Sequence, residues 1–290
     1  MSSRHHSQKK RAAEEKAIKI ALTVGILVII LAITAWVLYP ADLDFEDCTS
    51  DTPLQCGCPT NKSGVSGKKS IVLIDATDKI PDSRTQDINE IMVALSEPSS
   101  FFDTIIGGYE RISAFVFSDK KPDEMKPVAS FCKPPNRFIL SLKYSEADIN
   151  KQQKMIKKIA DKAALTSNAS QNGNSTRLME VIGIISGSGA YFNKSGKFIL
   201  FSDLVERSNE CGYFDIVVPN FQNISPKCNY FVTRASENMM GSKVYICMIP
   251  RSQQSSRIEI IPFWQEYFQT VTGRPAINTC DPSAIMGDIN

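Results

Sequence analysis

Two buried-strand patterns in this chain each end in an aspartate, and these aspartates are its best candidates for chemistry. The patterns are Lys69-Ser-Ile-Val-Leu-Ile-Asp75 and Lys197-Phe-Ile-Leu-Phe-Ser-Asp203. Continuous apolar runs of this kind are typical of parallel strands that are covered on both faces. Because ligand sites in open α/β sheets lie beyond the carboxyl ends of the strands, we expect Asp75 and Asp203 to face one site. Carboxylates with hydroxyl groups nearby suit a hard cation such as Mg²⁺.

The segments around these aspartates alternate between strand and helix patterns, which predicts an α/β domain with a mostly parallel sheet flanked by helices. Strand patterns cover residues 70–75, 111–117, 138–142, 198–202, 213–218 and 243–249. Helix patterns cover residues 82–95, 145–165, 175–185 and 259–271. The segment from Cys132 to Asn136 is predicted to be a loop, because its two prolines disfavour strand pairing.

Three short motifs follow one another in a recognisable order. Asp75 and Thr77 come directly after the first strand pattern, and Thr176 opens a helix pattern after a polar, Gly-containing loop. Asp203 ends the next core strand. This order resembles the metal-ion-dependent adhesion site of the von Willebrand factor A (vWA) domain family, whose motifs are Asp-x-Ser-x-Ser, a Thr before a helix and an Asp after a core strand. More narrowly, the chain resembles membrane-anchored vWA-like proteins of bacteria.

The resemblance implies a vWA/Rossmann-like fold and a protein-binding module in an envelope-associated assembly, with no catalytic residue. It implies that Mg²⁺ or Mn²⁺ is held by four residues: Asp75, Thr77, Thr176 and Asp203. A carboxylate of a protein partner would then complete the coordination of the ion. Lys79 stands where the family has its second Ser, and its ammonium group cannot ligate a cation and could itself fill the site. The alternative is therefore a structural site in which Asp75 and Asp203 cap local structure and Lys79 neutralises them.

The composition excludes several other kinds of site. The two histidines, His5 and His6, both lie near the N-terminus, so the rest of the chain has no histidine. This excludes Ser-His-Asp and Cys-His catalysis there, together with the His-ligated zinc sites of most metallohydrolases. The formal net charge is +2, which gives no electrostatic reason to expect binding to nucleic acid.

The N-terminal segment predicts a membrane anchor. Residues 20–38 are uncharged and almost all apolar, which is long enough for a transmembrane helix, whereas the apolar region of a cleaved signal peptide is usually shorter. Lys and Arg dominate before this stretch and Asp and Glu follow it, so the positive-inside rule places the N-terminus in the cytoplasm. We predict a single-pass protein of the inner or plasma membrane whose C-terminal domain is periplasmic or extracellular. Its parts are a basic tail (1–17), a transmembrane helix (18–39), a Cys-rich linker (40–67), the vWA-like domain (68–280) and a C-terminal tail (281–290).

All eight cysteines follow the predicted span, and in an oxidising compartment we expect them to form disulfides whose connectivity the sequence leaves open. The candidates are Cys48, Cys56, Cys58, Cys132, Cys211, Cys228, Cys247 and Cys280.

Two other functions compete with partner binding. An extracytoplasmic phosphohydrolase could use a strand-terminal aspartate as nucleophile, but Thr77 stands where such an enzyme needs an acid/base aspartate. A thiol-redox protein could use Cys56 and Cys58, but these lie in a linker, without the helix N-terminus that lowers the pKa of a reactive thiol.

Overall fold

A sheet of seven strands dominates the unit Asp44–Asn290, one of two units into which a computed structural model divides the chain; the other is Met1–Leu43. The structure describes residues 18–19, 22–31, 54–56, 58, 67–78, 80–98, 110–118, 122–133, 146–147, 150–151, 153–154, 157–158, 161, 175–194, 196–214, 220–249 and 260–287. Within these residues the strands are β1 (Leu54–Cys56), β2 (Lys69–Asp75), β3 (Arg111–Phe117), β4 (Ala129–Cys132), β5 (Lys197–Ser202), β6 (Arg207–Ser208), β7 (Gly212–Tyr213), β8 (Lys243–Met248) and β9 (Ile277–Asn278).

The order of the strands in space defines a doubly wound sheet. It runs β1-β4-β3-β2-β5-β8-β9, and β6 and β7 form a separate antiparallel pair. The central strands β3, β2, β5 and β8 are parallel, and β4 is antiparallel to β3. After β2 the chain adds strands first on one side of it and then, from β5 onward, on the other. The carboxyl ends of β2 and β5 therefore flank the switch point, where open α/β sheets bind their ligands.

Helices cover both faces of this sheet. The described residues form α1 (Asp82–Ser96), α2 (Leu178–Ser186), α3 (Pro226–Met239), α4 (Ile260–Thr272) and α5 (Pro282–Gly287). Buried residues of α2, α3 and α4 pack with one face of the sheet, and buried residues of α1 and α5 pack with the other. Strand β2 is buried on both faces. Ile71 and Leu73 join the core on the face covered by α2, α3 and α4, while Val72 and Ile74 join the core on the face covered by α1 and α5. Burial on both faces explains why this strand is continuously apolar instead of alternating.

The predicted α/β class, with a mostly parallel sheet flanked by helices, is confirmed. The predicted strands 70–75, 111–117, 198–202 and 243–249 correspond to β2, β3, β5 and β8, with bounds that differ by no more than one residue. The predicted helices 82–95, 175–185 and 259–271 correspond to α1, α2 and α4. In the predicted helix 145–165, every residue that the structure describes is helical.

Several described elements were not predicted, namely β1, β4, β6, β9, α3 and α5. Helix α3 is amphipathic and largely polar, yet Ser225 caps it and Pro226 occupies its first turn. Strand β4 is short, and the prediction of a loop beginning at Cys132 is wrong, because Cys132 pairs with Arg111 before the prolines begin. The predicted strand 213–218 is described only at Tyr213, in β7, and then at residue 214, and the predicted strand 138–142 lies outside the described residues.

Disulfides join distant parts of the domain, as expected from the cysteine content. Within the described residues the pairs are Cys58–Cys132, Cys211–Cys228 and Cys247–Cys280, and no cysteine is free. Cys48 lies outside the described residues, and Cys56 is described only as part of β1. Because Cys58 is bonded to Cys132 and not to its neighbour Cys56, it offers no thiol for exchange in this structure.

We expect a non-reducing peptide map of the full chain to link the peptides that carry Cys58 and Cys132. The pairing follows from their position side by side, with α-carbons 4.8 Å apart, within the ordinary range for a disulfide. Mass spectrometry before and after reduction measures the linkage, and the reduced sample is the control. A peptide in which Cys56 is linked to Cys58 would contradict this pairing and favour the thiol-redox alternative.

The N-terminal unit is described only in part. Residues 18–19 and 22–31 are helical, and the described large apolar side chains among them are exposed. Among the residues that the structure describes, no helix has the length and apolar character needed to cross a membrane. The structure describes only part of the predicted span 18–39, since residues 20–21 and 32–39 lie outside the described residues.

Candidate functional site

Asp75 is the centre of a buried hydrogen-bond network at the carboxyl end of β2. Its Oδ1 accepts hydrogen bonds from the Thr77 backbone N–H (3.1 Å) and from Thr77 Oγ1 (2.7 Å). Its Oδ2 accepts a hydrogen bond from Ser202 Oγ (2.7 Å), which comes from the neighbouring strand β5. The two strands that flank the switch point are thus joined through one carboxylate.

Thr176 adds a third segment of the chain to this network. Its Oγ1 donates to Thr77 Oγ1 over 3.2 Å, although the two residues are 99 positions apart. An isolated bridge holds Thr176 in place just before α2, because its backbone N–H and C=O pair with Arg207. Hydroxyl protons therefore point along one path, from Thr176 to Thr77 and on to Asp75.

Asp203 lies in a tightly held turn directly after β5. Its Oδ1 accepts a hydrogen bond from the Val205 N–H (3.0 Å), and the Leu204 N–H donates to Ser202 Oγ (2.9 Å). Leu204 has a φ of 64°, a left-handed conformation that is uncommon for a bulky residue. The Trp264 indole donates to the Leu204 carbonyl (2.8 Å), so packing from α4 holds this turn. Strained backbone of this kind often occurs at ligand sites.

Sequence reasoning missed Ser202. The sequence pattern shows it only as the end of a strand, but Ile74 pairs with Phe201, so the next residues, Asp75 and Ser202, lie side by side. The available signal was a hydroxyl residue at the carboxyl end of an otherwise apolar strand, one position before Asp203. The network therefore contains one more oxygen atom that could bind an ion than the motifs alone predicted.

The donor set fits a hard cation. Its members are carboxylate and hydroxyl oxygens, the ligands that Mg²⁺ and Mn²⁺ prefer. The hydroxyls of Thr77, Thr176 and Ser202 each donate a proton within the network. Thr77 Oγ1 and Ser202 Oγ also accept one hydrogen bond each, from Thr176 and from the Leu204 N–H, which leaves one lone pair on each of these two oxygens for an ion. None of these residues, nor Asp75 or Asp203, is more than 2 % exposed. An ion held by these side chains would therefore be largely shielded from solvent.

The predicted site residues are not all equally connected. The structure brings Asp75, Thr77 and Thr176 into one network and places Asp203 one residue after Ser202. Lys79 lies outside the described residues, so the alternative in which its ammonium group fills the site stays a prediction. Directly before this position, Asp78 pairs with Arg207 at 3.4 Å, and the pair is partly exposed.

A third buried acid, Glu206, lies close to the same loops. Its Oε2 accepts a hydrogen bond from the Met179 N–H (2.9 Å) in the first turn of α2, while its Oε1 has no hydrogen-bond partner among the residues that the structure describes. Burial raises the pKa of Glu206 to about 8, although Ser208 and the α2 N–H groups favour the charged form. Tyr267 is buried beside it, and burial together with the charge of Glu206 raises the pKa of the phenol.

A further group of potential metal ligands does not form a metal site. Ligand atoms of Asp87, Cys247 and Cys280 lie within 4.8 Å of one another. The two sulfur atoms are bonded to each other, so neither can provide the thiolate that binds a metal.

Comparison with known proteins assigns the chain to no family. It matches no protein-family model, and a search among curated proteins finds no significant relative. The function must therefore be inferred from the residues and their geometry.

Proposed function

We propose that this protein is a membrane-anchored, vWA-like protein-recognition module whose site takes Mg²⁺ or Mn²⁺. The observation that carries the proposal is the network of Asp75, Thr77, Thr176 and Ser202. Four oxygen-bearing side chains from three distant segments meet at the switch point of a doubly wound sheet, where ligand sites are found. Their order along the chain is also the order of the motifs in the vWA family.

The chemistry of the site favours recognition over catalysis. Asp75, Thr77, Thr176 and Asp203 would hold the ion, directly or through water, together with Ser202. Hydroxyl ligands are neutral, so an ion bound directly by them and by only one of the two carboxylates keeps positive charge that attracts a carboxylate of a protein partner. The chain from residue 7 onward contains no histidine that could assist proton transfer at this site.

The N-terminal segment would anchor the module in the membrane. Nine large apolar side chains of the described helical residues are between 50 and 65 % exposed: Ile18, Leu22, Val24, Ile26, Leu27, Val28, Ile29, Ile30 and Leu31. A helix that is apolar on all sides needs an apolar environment, such as a bilayer. The disulfides of the domain agree with an oxidising compartment on the far side of that membrane.

Calorimetric titration of the full chain in detergent with MgCl₂ and MnCl₂ tests the site. We expect wild-type protein to bind one ion, and Thr176→Val to weaken binding by at least about tenfold, because valine keeps the shape but removes the ligand oxygen. Thr176→Ser keeps that oxygen and is the matched control, so its affinity should stay close to that of the wild type. Lys79→Ser should bind more tightly, since it removes a positive charge and adds a hydroxyl.

Three results would contradict the proposal in whole or in part. If neither wild type nor Lys79→Ser binds an ion, the network is structural and the metal site does not exist. If Thr176→Val binds as tightly as Thr176→Ser, the ion lies elsewhere. Binding by Lys79→Ser alone would mean that Lys79 replaces the cation, which leaves a recognition module without a metal.

A further inference from the structure

We propose that the Cys247–Cys280 disulfide is a redox-exchangeable pair, which a dithiol reductant opens and a disulfide oxidant re-forms while the domain stays folded. The bond joins β8 to the residues that follow β9. Opening it would free the C-terminal segment, by which we mean residues 277–287. The inference depends on neither the metal site nor the membrane anchor, and it concerns a different pair from Cys56 and Cys58.

Exposure distinguishes this disulfide from the other two in the described part of the chain. The cysteines of those two are no more than 7 % exposed: Cys58, Cys132, Cys211 and Cys228. Cys247 is also fully buried, but Cys280 is only partly buried. Exchange begins when a thiolate reaches a disulfide sulfur, and exposed disulfides are the ones that open readily. A reductant would therefore attack Sγ of Cys280.

A cation lies beside this accessible sulfur. Arg84, in the first turn of α1, donates a hydrogen bond from Nη1 to Cys280 Sγ over 3.6 Å, although the two residues are 196 positions apart. A guanidinium stays charged at every relevant pH, so it attracts an attacking thiolate and stabilises the Cys280 thiolate once the bond is open. That thiolate is also the nucleophile that re-forms the bond with an oxidant.

Asp87 supplies a group that can carry a proton. Its Oδ2 accepts a hydrogen bond from Arg84 Nη1 (2.6 Å), which fixes the guanidinium beside the sulfur. The two side chains are 34 % and 27 % exposed, so water screens the pair and Asp87 offsets the charge of Arg84 only in part. A carboxylate oxygen of Asp87 lies within 4.8 Å of both sulfur atoms, where it can take a proton from an attacking thiol and pass it to Cys247.

The exchange proceeds in two balanced steps. In the first, a dithiol gives one proton to Asp87 and its sulfur bonds to Cys280 Sγ; the disulfide breaks, and Cys247 takes the electron pair and then the proton. In the second, the other thiol of the reductant attacks the reductant sulfur that is bonded to Cys280. Cys280 leaves as a thiolate beside Arg84, and the second proton passes to water. The protein gains two electrons, and the dithiol becomes a disulfide.

The C-terminal segment is short and only partly packed. Strand β9 has two residues, both exposed, which pair with Tyr245 and Ile246 of β8. In α5, Ile285 is buried, and its carbonyl accepts a hydrogen bond from Lys197 Nζ (2.9 Å). The disulfide links positions that are 33 residues apart, so opening it removes a covalent restraint on this segment. We therefore expect the segment to open locally more often in the reduced protein.

Graded reduction of the full chain in detergent with dithiothreitol tests the pair. Samples are quenched with iodoacetamide, mass spectrometry measures the open fraction of each disulfide, and circular dichroism reports on folding. We expect Cys247–Cys280 to open at least about tenfold faster than the other two described disulfides, with the circular dichroism unchanged. Hydrogen exchange of the C-terminal segment should then become faster.

Variants of Arg84 test the role of the cation. Once the bond is open, Arg84→Gln should slow alkylation of Cys280 by roughly threefold or more near neutral pH and shift its pH dependence to higher pH. Arg84→Lys keeps the charge and should restore most of the rate. Arg177→Gln is the matched control, because it removes an ion pair of the same spacing, with Glu180 at 3.8 Å, at the start of α2 on the other face of the sheet. It should behave like the wild type.

Two cysteine variants identify the sulfur that is attacked. Incubated with glutathione disulfide, Cys247→Ser should form a glutathione adduct at Cys280, whereas Cys280→Ser should leave the buried Cys247 unmodified. An adduct at Cys247 alone would contradict the order of the two steps. If a serine variant does not fold, reduction of the wild type still decides the proposal.

Other outcomes overturn the proposal. If the three disulfides open at equal rates, or if Cys247–Cys280 opens only as the circular dichroism is lost, the bond is purely structural. If Arg84→Gln matches Arg177→Gln in both the rate and the pH dependence of alkylation, Arg84 does not stabilise the thiolate. None of these results would alter the interpretation of the metal titration.

Discussion

Gly196→Ala should lower the free energy of unfolding by more than about 4 kcal/mol, enough to prevent stable folding of many domains. A Cβ atom at Gly196 would lie 1.7 Å from the backbone oxygen of Lys69 and 2.6 Å from its carbonyl carbon. Both are backbone atoms, so no side-chain rotation relieves the overlap. The start of β5 would have to move away from the start of β2.

This overlap also affects the candidate metal site, because β2 and β5 carry residues of that site. The turn before β5 is joined to β2 through Asn193, whose Oδ1 accepts the Lys69 N–H, and the Lys197 N–H donates to Ser70 Oγ. Displacing β5 would also separate Ser202 from Asp75. We therefore expect any Gly196→Ala protein that folds to lose cation binding as well.

Denaturant unfolding followed by circular dichroism measures the effect. Gly189→Ala is the matched control, since a Cβ there meets nothing within 4 Å. It should change stability by no more than about 0.5 kcal/mol. Equal unfolding midpoints for the two variants would show that β2 and β5 do not approach each other as closely as the structure has them.

Glu206→Gln should make the domain increasingly more stable than the wild type as the pH rises from 5 to 8. The pKa of Glu206 is raised to about 8 by burial, whereas an unfolded glutamate has its ordinary value near 4.5. The folded state therefore binds the proton more tightly, and its stability is highest below the lower pKa and falls as the pH rises through the higher one. A single group with this shift lowers the free energy of unfolding by roughly 1 kcal/mol per pH unit between the two values.

Glutamine has nearly the same shape and does not ionise, so the variant lacks this slope while it can still accept the Met179 N–H. Unfolding of both proteins at several pH values measures the difference between them, which should level off above pH 8. Glu266→Gln, at an exposed position next to Tyr267, is the control and should follow the wild type. If the Glu206→Gln and wild-type curves stay parallel from pH 5 to 8, Glu206 is ionised in the folded protein.

The sequence by itself determined the layered class of the fold. Strands such as β2 and β5 are buried on both faces, so their apolar runs are continuous and stand out from the polar loops around them. The helix predicted over residues 259–271 is α4, and its aromatic residues Phe263, Trp264 and Phe268 are fully or almost fully buried. In each case local patterning and burial favour the same structure.

Elements whose patterning is weak were missed. Helix α3 buries Cys228, Val232, Ala235 and Met239, which recur at helical spacing but are interrupted by polar residues. Its cap at Ser225 was the signal that could have revealed it. Strand β4 has only four residues, and its pairing with β3 depends on a contact that no local pattern encodes.

The candidate site was also predicted only in part from the sequence. Asp75 and Asp203 could be predicted because strand ends are visible in the sequence and the carboxyl ends of parallel strands meet at one edge. Only the tertiary structure decided that Thr176 donates to Thr77, that Ser202 joins Asp75, and that Glu206 is buried beside Tyr267. These contacts join residues far apart in the chain, and the register of the sheet and the packing of loops set their distances. A single sequence specifies which side chains carry oxygen, whereas the fold decides which of those oxygens meet.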